Sequence, residues 1–277
     1  PGEMTFQTFL LDKDNKVVFL YATDAKEQYT YIETAKGKGY DVLLMDGQLD
    51  THFINHLEQK NSDHRFVRVD SDVIDKLIPK EETKEVALSH KEQEELRAVF
   101  TSQLPKEEGM FMVNFEAMGE NGDPVIVTRS EFMRRMKEMA NIQAGMSFYG
   151  EMPDMFNLVL NSDHKLIKQV LSEEEIACAA DIVPLQLSID DVTKQRDALQ
   201  KKQEGKKEED IPTSEKDELK DVNKKLDELK IKKEAVFAGY ASKNKVVRQL
   251  IDLALLQNNM LKGEALNNFV KRSIELI

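Results

Sequence analysis

Continuous apolar runs alternate with helical patterns at the start of the chain. The runs at 16–22 and 40–45 are typical of strands, and residues 30–38 between them have a helical pattern. This order predicts a parallel pair of strands buried on both faces, which explains why polar residues are scarce within the runs. A further helix is predicted over 51–59, with Asp50 as its N-cap. The chain therefore begins with a small α/β unit.

The middle of the chain mixes helical and strand patterns, which predicts an α+β architecture. The predicted helices cover 81–103, 131–141 and 165–171, the last capped by Asp163. The predicted strands cover 110–117, 125–128 and 156–160. Residues 119–122, Gly-Glu-Asn-Gly, tolerate the positive φ of a tight turn. We therefore expect the first two of these strands to form a hairpin.

Two sets of apolar residues recur at steps of three and four, which is the pattern of a coiled-coil seam. They are Leu185, Ile189, Val192 and Leu199, and then Leu219, Val222, Leu226, Leu229 and Val236. Gly205 and Pro212 interrupt the helix between the two sets. Residues 190–233 hold 13 acidic and 13 basic side chains, as expected of an exposed arm. The sequence predicts an antiparallel helical hairpin, and a disordered linker is the alternative.

The end of the chain predicts two amphipathic helices, over 246–256 and 266–277. Two short helices cannot bury so much apolar surface against each other, so a partner surface is expected. A second copy of the chain would complete a four-helix bundle, and packing against the chain's own domain is the alternative. The predicted dimer interface consists of Leu250, Leu253, Leu256, Leu266, Phe269, Val270 and Ile274.

Composition narrows the classes of partner and the compartment. The 39 basic and 51 acidic side chains give a net charge of −12, which disfavours binding to nucleic acid or to anionic membranes. A single cysteine, Cys178, and the lack of a signal peptide or membrane span indicate a cytoplasmic protein. A first residue that is not Met suggests that upstream sequence is missing.

Signatures of catalysis and metal binding are absent from the sequence. No phosphate loop, dinucleotide fingerprint or nucleophile elbow occurs, and Gly37-Lys38-Gly39 precedes a strand instead of following one. His52 and His56 share a helix face, but zinc needs further fixed ligands, so we expect exposed residues and no metal site. Cys178 is expected to be buried and inert.

Methionine is the unusual residue, with nine of the 12 between positions 110 and 155. Unbranched, polarizable thioethers adapt to many shapes, which suits promiscuous apolar binding. A core that uses methionine as filler is the alternative. The candidate binding residues are Phe132, Met133, Met136, Met139, Met146, Phe148 and Tyr149.

Three segments, at residues 39–57, 158–167 and 252–272, follow one another in an order that resembles the ninety-kilodalton heat-shock chaperones. Residues 39–57 (GYDVLLM followed by LDTHFINHL) resemble the end of their middle domain. Residues 158–167 (LVLNSDHKLI) resemble a segment of their C-terminal domain, and 252–272 its closing helix pair. Ser162 replaces the usual Pro, His52 replaces an aromatic residue, and 172–242 has no counterpart in the typical pattern.

The resemblance implies that 1–80 ends a middle domain and that 81–277 is a C-terminal dimerisation domain with an inserted arm at 172–242. It further implies a homodimer that binds unfolded or partly folded client proteins, with the methionine residues as the client-binding surface. ATP and magnesium would belong to other domains of the longer protein, so no catalysis or cofactor is expected of this chain alone. The rival hypothesis is a structural coiled-coil protein that docks a specific partner through residues 185–236.

Overall fold

The computed structural model describes residues 11, 15–47, 49–78, 85–105, 109–130, 133–137, 153–203 and 212–276. The chain forms two compact units, which confirms the mixed α+β class. The sheet unit draws on 1–87, 104–164 and 249–277, and the helical unit on 88–103 and 165–248. The domains 1–80 and 81–277 stay a prediction.

Three parallel strands form the first sheet, in the order β2, β1, β3. Strand β1 (Val17–Ala22) lies in the centre, with β2 (Val42–Leu44) and β3 (His64–Arg68) on either side. Helix α1 (Tyr29–Gly37) connects β1 to β2, so the predicted parallel pair is confirmed. Strand β3 was not predicted, because His64, Arg65 and Arg68 interrupt its apolar run.

Apolar residues cover both faces of this sheet, as parallel strands require. Val18 and Leu20 of β1 pack on one side with Ala35 of α1 and with α3 (Ile74–Leu77). On the other side, Tyr21 and Phe66 pack with Ile54 of α2 (Asp50–Lys60).

Asp50 is the first residue of α2 and not its N-cap, so this prediction was wrong. The N-cap position is occupied by Leu49, whose side chain makes no capping bond. The Asp50 carboxylate accepts a hydrogen bond from the Gly47 amide at 2.8 Å. It thereby fixes the loop before the helix while lying at the positive end of the helix dipole.

The second sheet contains β4 (Met110–Glu116), β5 (Val125–Arg129) and β6 (Met155–Asn161), in the order β4, β6, β5. The predicted hairpin of the first two strands was wrong, because β6 lies between them, parallel to β4 and antiparallel to β5. The last four residues of β6 are all buried. An apolar strand of this kind takes the central place, and a local turn signal at 119–122 does not determine which strands pair.

Asn161, Ser162 and Asp163 link the end of β6 to the turn that follows β4. Asn161 accepts a hydrogen bond from the Met118 amide at 3.1 Å, and Asp163 accepts one from Gly119 at 2.9 Å. The Ser162 amide donates to the Glu116 carbonyl at 2.8 Å. Proline has no amide hydrogen, so Ser162 makes a bond that the residue it replaces could not make.

The helical unit contains α4 (His90–Thr101), α5 (Lys165–Gln203) and α6 (Thr213–Lys243). Within 85–105 the predicted helix 81–103 begins only at His90, because Ser89 forms a capping box with Glu92. The predicted helix 165–171 continues without a break into the first arm helix, so α5 is 39 residues long.

Helices α5 and α6 pair antiparallel, which confirms the predicted helical hairpin over the part that the structure describes. Ile189, Val192 and Leu226 are buried together in the seam. Near one end, the Gln203 amide donates to the Glu215 carbonyl at 3.2 Å, and nearer the other the Lys233 ammonium donates to Gln186 at 2.7 Å. Pro212 is the N-cap of α6, whereas Gly205 lies outside the described residues.

Two helices end the chain, α7 (Lys245–Gln257) and α8 (Gly263–Leu276), as predicted. None of the described helices is both long enough and apolar enough to cross a membrane.

Candidate functional site

The candidate methionine surface begins directly after β5. Residues 133–137 are helical, and the Arg134 amide donates to the Ser130 carbonyl at 3.0 Å to start this turn. Met133 and Met136 are half-buried. The other candidates, Phe132, Met139, Met146, Phe148 and Tyr149, lie outside the described residues.

Two arginines of this segment fix it to the first sheet. Arg135 donates to the Glu58 carboxylate at 2.6 Å and to the Phe66 carbonyl at 2.7 Å. Arg134 donates to the hydroxyl of Tyr21. Charge-assisted bonds of this kind are short and directional, so they define which way the methionines point. The sequence gives no signal for these contacts, since the partners lie 69 to 113 residues apart.

A small basic cavity of about 140 Å³ adjoins Met133. Phe156 lies under the guanidinium of Arg129, whose Cζ is 5.2 Å from the ring centroid. At the rim, the Lys137 ammonium donates to the Asp154 carboxylate at 2.6 Å. The cavity therefore combines apolar walls with cationic groups.

A glycine allows the chain to pass close to this rim. Gly109 has a φ of +134°, and a Cβ atom there would lie 2.6 Å from the Asp154 carbonyl oxygen. Only glycine fits a position that is both left-handed and this crowded.

A buried polar cluster joins α7 to α8. Asp252, which is 1% exposed, forms an ion pair with Arg272. The Gln249 amide donates to Ser273 at 2.6 Å and its carbonyl accepts from Arg272 at 3.0 Å. Because these partners are specific, they fix the register of the two helices.

The predicted interface residues differ in their exposure. Leu250 is buried within the chain, and Leu256, Leu266 and Phe269 are half-buried. Leu253 is 37% exposed, Val270 46% and Ile274 69%. The exposed members of the predicted interface are therefore Leu253 on α7 and Val270 and Ile274 on α8.

A buried pair of carboxyl groups lies in the helical unit. Burial raises the pKa of the Glu174 carboxyl to about 7, with Glu95 adding like-charge repulsion. Burial also raises the pKa of Glu95, which Lys91 partly offsets. The Cys178 thiol is 3% exposed, as predicted, and burial beside Glu174 raises its pKa to about 11, which makes it a poor nucleophile.

Neither a metal nor a phosphate fits the residues singled out for them. His52 and His56 are exposed on α2, as predicted, and the described residues contain no group of three or more potential metal ligands. The Lys38 and Gly39 amides donate to Ala35 and Lys36 at the end of α1. Amides already bonded at a helix C-terminus do not fit a nucleotide phosphate.

Three relatives show what the chain is similar to. It is 69% identical over 267 residues to the chaperone protein HtpG of Bacteroides fragilis strain 638R, a match that covers 96% of the chain and 39% of that protein. The corresponding protein of Bacteroides thetaiotaomicron is 65% identical over the same coverage. That of Porphyromonas gingivalis strain ATCC 33277 is 46% identical over 269 residues, again with 96% and 39% coverage. No protein-family model matches the chain.

These matches identify the class as molecular chaperones. Within it, the chain belongs to the HtpG family of ninety-kilodalton heat-shock chaperones and spans about two fifths of the length of the relatives it matches, which confirms the resemblance. The match to the Bacteroides fragilis protein leaves only 10 residues of the chain uncovered, so it includes most of the arm at 172–242.

Proposed function

We propose that this chain is the dimerisation and client-binding portion of an ATP-dependent, cytoplasmic chaperone. Membership of the HtpG family supports the chaperone role. ATP and magnesium are assigned to domains beyond this chain, in line with the poor fit of the Gly37–Gly39 segment to phosphate. The proposed partners are a second copy of the chain and unfolded client proteins.

The placement of Met133 and Met136 carries the client-binding proposal. Both are half-buried although they lie on a turn that Arg134 and Arg135 hold against the first sheet. A rigid backbone with flexible thioether side chains offers an adaptable apolar surface at little entropic cost. The segment is therefore suited to contact many unrelated sequences weakly.

We expect the double variant Met133→Gln and Met136→Gln to weaken capture of permanently unfolded α-lactalbumin about 30-fold, since it removes two apolar contacts of about 1 kcal/mol each. Fluorescence anisotropy with labelled α-lactalbumin measures the effect. The double variant Met110→Gln and Met112→Gln is the control, because both methionines are exposed on β4. Equal losses of affinity in the two variants, or a loss of helix content, would contradict client binding by Met133 and Met136 and would indicate that they serve the fold.

The exposed residues of the terminal helices support the dimerisation proposal. The polar cluster of Asp252 and Arg272 holds α7 and α8 in one register, so Leu253 and Ile274 have fixed positions on the surface. A two-fold partner would cover them with the same residues of the second copy.

A second candidate function is docking of a specific partner by the arm. Ile176, Val183 and Leu187 are exposed at helical spacing along α5, with exposed fractions of 80%, 58% and 62%. Such a stripe marks a site for an apolar partner more often than isolated surface residues do.

Deletion of 190–233 with a short glycine-serine link separates the two candidates. If the terminal helices dimerise, the shortened chain elutes as a dimer and still binds unfolded α-lactalbumin. Loss of both properties would show instead that the arm is the working element. Size-exclusion chromatography with light scattering and the anisotropy assay provide the two measurements.

A further inference from the structure

The cavity beside Met133 is lined mainly by cationic side chains, although the part of the chain that contains it is acidic. Residues 1–189 hold 20 basic and 34 acidic side chains, so this part of the chain is strongly acidic. Yet the cavity is lined by Arg129, Arg134 and Lys137 with one carboxylate, that of Asp154. A cationic pocket on an acidic body attracts anions that the rest of the surface repels.

Arg129 is the central cation of the cavity. Its Nε atom is buried without a hydrogen-bond partner among the described residues. Its backbone amide donates to the Asp70 carbonyl at 3.0 Å, and Phe156 lies against its guanidinium, so the side chain is held in place. A fixed, partly dehydrated guanidinium matches a carboxylate through two parallel hydrogen bonds.

The remaining walls indicate what else the occupant contains. Met133, Met155 and Phe156 supply apolar surface within the same 140 Å³. This volume accommodates a small group such as the end of a side chain, since a single water needs at least about 10–15 Å³ of it. The chemistry fits the end of an acidic side chain with an apolar neighbour along its backbone.

We propose that this cavity binds the carboxylate of an acidic side chain in a client protein, next to an apolar client residue held by the methionine surface. The inference rests on the proposed client binding, because Met133 belongs to both the cavity and that surface. The pair of Lys137 and Asp154 shows that this rim holds a carboxylate, and Asp154 competes with the incoming one. Clients would thus be selected for acidic residues beside apolar ones, although the chaperone itself is acidic.

Two labelled, end-blocked peptides that differ only in Leu-Glu-Phe or Leu-Gln-Phe test the proposal with the full chain. We expect the Glu peptide to bind about tenfold more tightly at low salt, as for one charge-assisted bidentate contact, and the preference to shrink as salt rises. Arg129→Gln should abolish the preference, and Asp154→Asn should enlarge it. Lys220→Gln, an equal charge change at an exposed site on α6, is the control and should alter nothing.

The outcomes separate this inference from the proposed function. Equal binding of the two peptides, or a preference that survives in Arg129→Gln, overturns the inference while capture of unfolded α-lactalbumin stands. If the chain captures neither α-lactalbumin nor the peptides, client binding itself fails. A fall in the preference with Lys220→Gln equal to that with Arg129→Gln would show a general charge effect and also overturn the site.

Discussion

Replacing Leu253 and Ile274 with Asp converts the proposed dimer into monomers. Ile274 is 69% exposed in the single chain and Leu253 is 37% exposed, so Ile274→Asp leaves the packing of each copy intact and Leu253→Asp removes some contacts within it. In a two-fold interface every substitution acts twice, and four carboxylates would be buried without partners. We expect the dimer dissociation constant to rise at least about 100-fold, which is roughly 3 kcal/mol. Size-exclusion chromatography with light scattering measures the change over a concentration series.

The matched control places the same charges on the arm. Ile176→Asp and Leu187→Asp alter aliphatic side chains that are even more exposed, on α5. This variant should remain a dimer and keep the circular dichroism spectrum of the parent. A dimer that survives Leu253→Asp and Ile274→Asp, or one that the arm substitutions dissociate, would contradict the proposed interface.

The sequence predicted those elements whose signal is local and periodic. The parallel pair of β1 and β2 follows from two apolar runs with a helix between them, and the hairpin seam of Ile189, Val192 and Leu226 from regular spacing. Strand β3 was not predicted, because its polar residues interrupt the apolar pattern around Phe66 and Val67, both of which are buried. The strand order of the second sheet was predicted wrongly, because strand pairing depends on the whole sheet and not on the local pattern of one strand or turn.

The candidate site was predictable only in part, for a similar reason. Periodicity placed Met133 and Met136 on one helical segment, but the bonds of Arg135 to Glu58 and Phe66 depend on residues far along the chain. A helix that is apolar over most of its circumference likewise does not reveal which side faces inward. Leu250 lies in the core while Leu253, three residues later, is exposed.

The buried carboxyl of Glu174 makes the stability of the helical unit depend on pH. Its ordinary pKa of 4.5 is raised to about 7 in the folded chain, so the folded state binds the proton more tightly than the unfolded state. The stabilisation is complete below about pH 4.5 and is lost as the pH rises through about 7. This difference between the folded and unfolded pKa corresponds to roughly 3 kcal/mol. Glu174 is 2% exposed, so solvent screens its charge little.

Glu174→Gln removes this ionisation while keeping the shape of the side chain. We expect the variant to be more stable than the parent by about 2 kcal/mol near pH 8, because an ionised carboxylate beside Glu95 is no longer buried there. Near pH 5 the gain should fall below about 1 kcal/mol, since the Glu174 carboxyl of the folded parent is then neutral. Urea denaturation followed by helical circular dichroism at the two pH values measures the difference.

Glu175→Gln is the control, because that neighbour is exposed on the same helix and should shift stability by less than about 0.5 kcal/mol at either pH. Equal effects of the two substitutions, or a gain for Glu174→Gln that is the same at both pH values, would contradict a role for the buried charge.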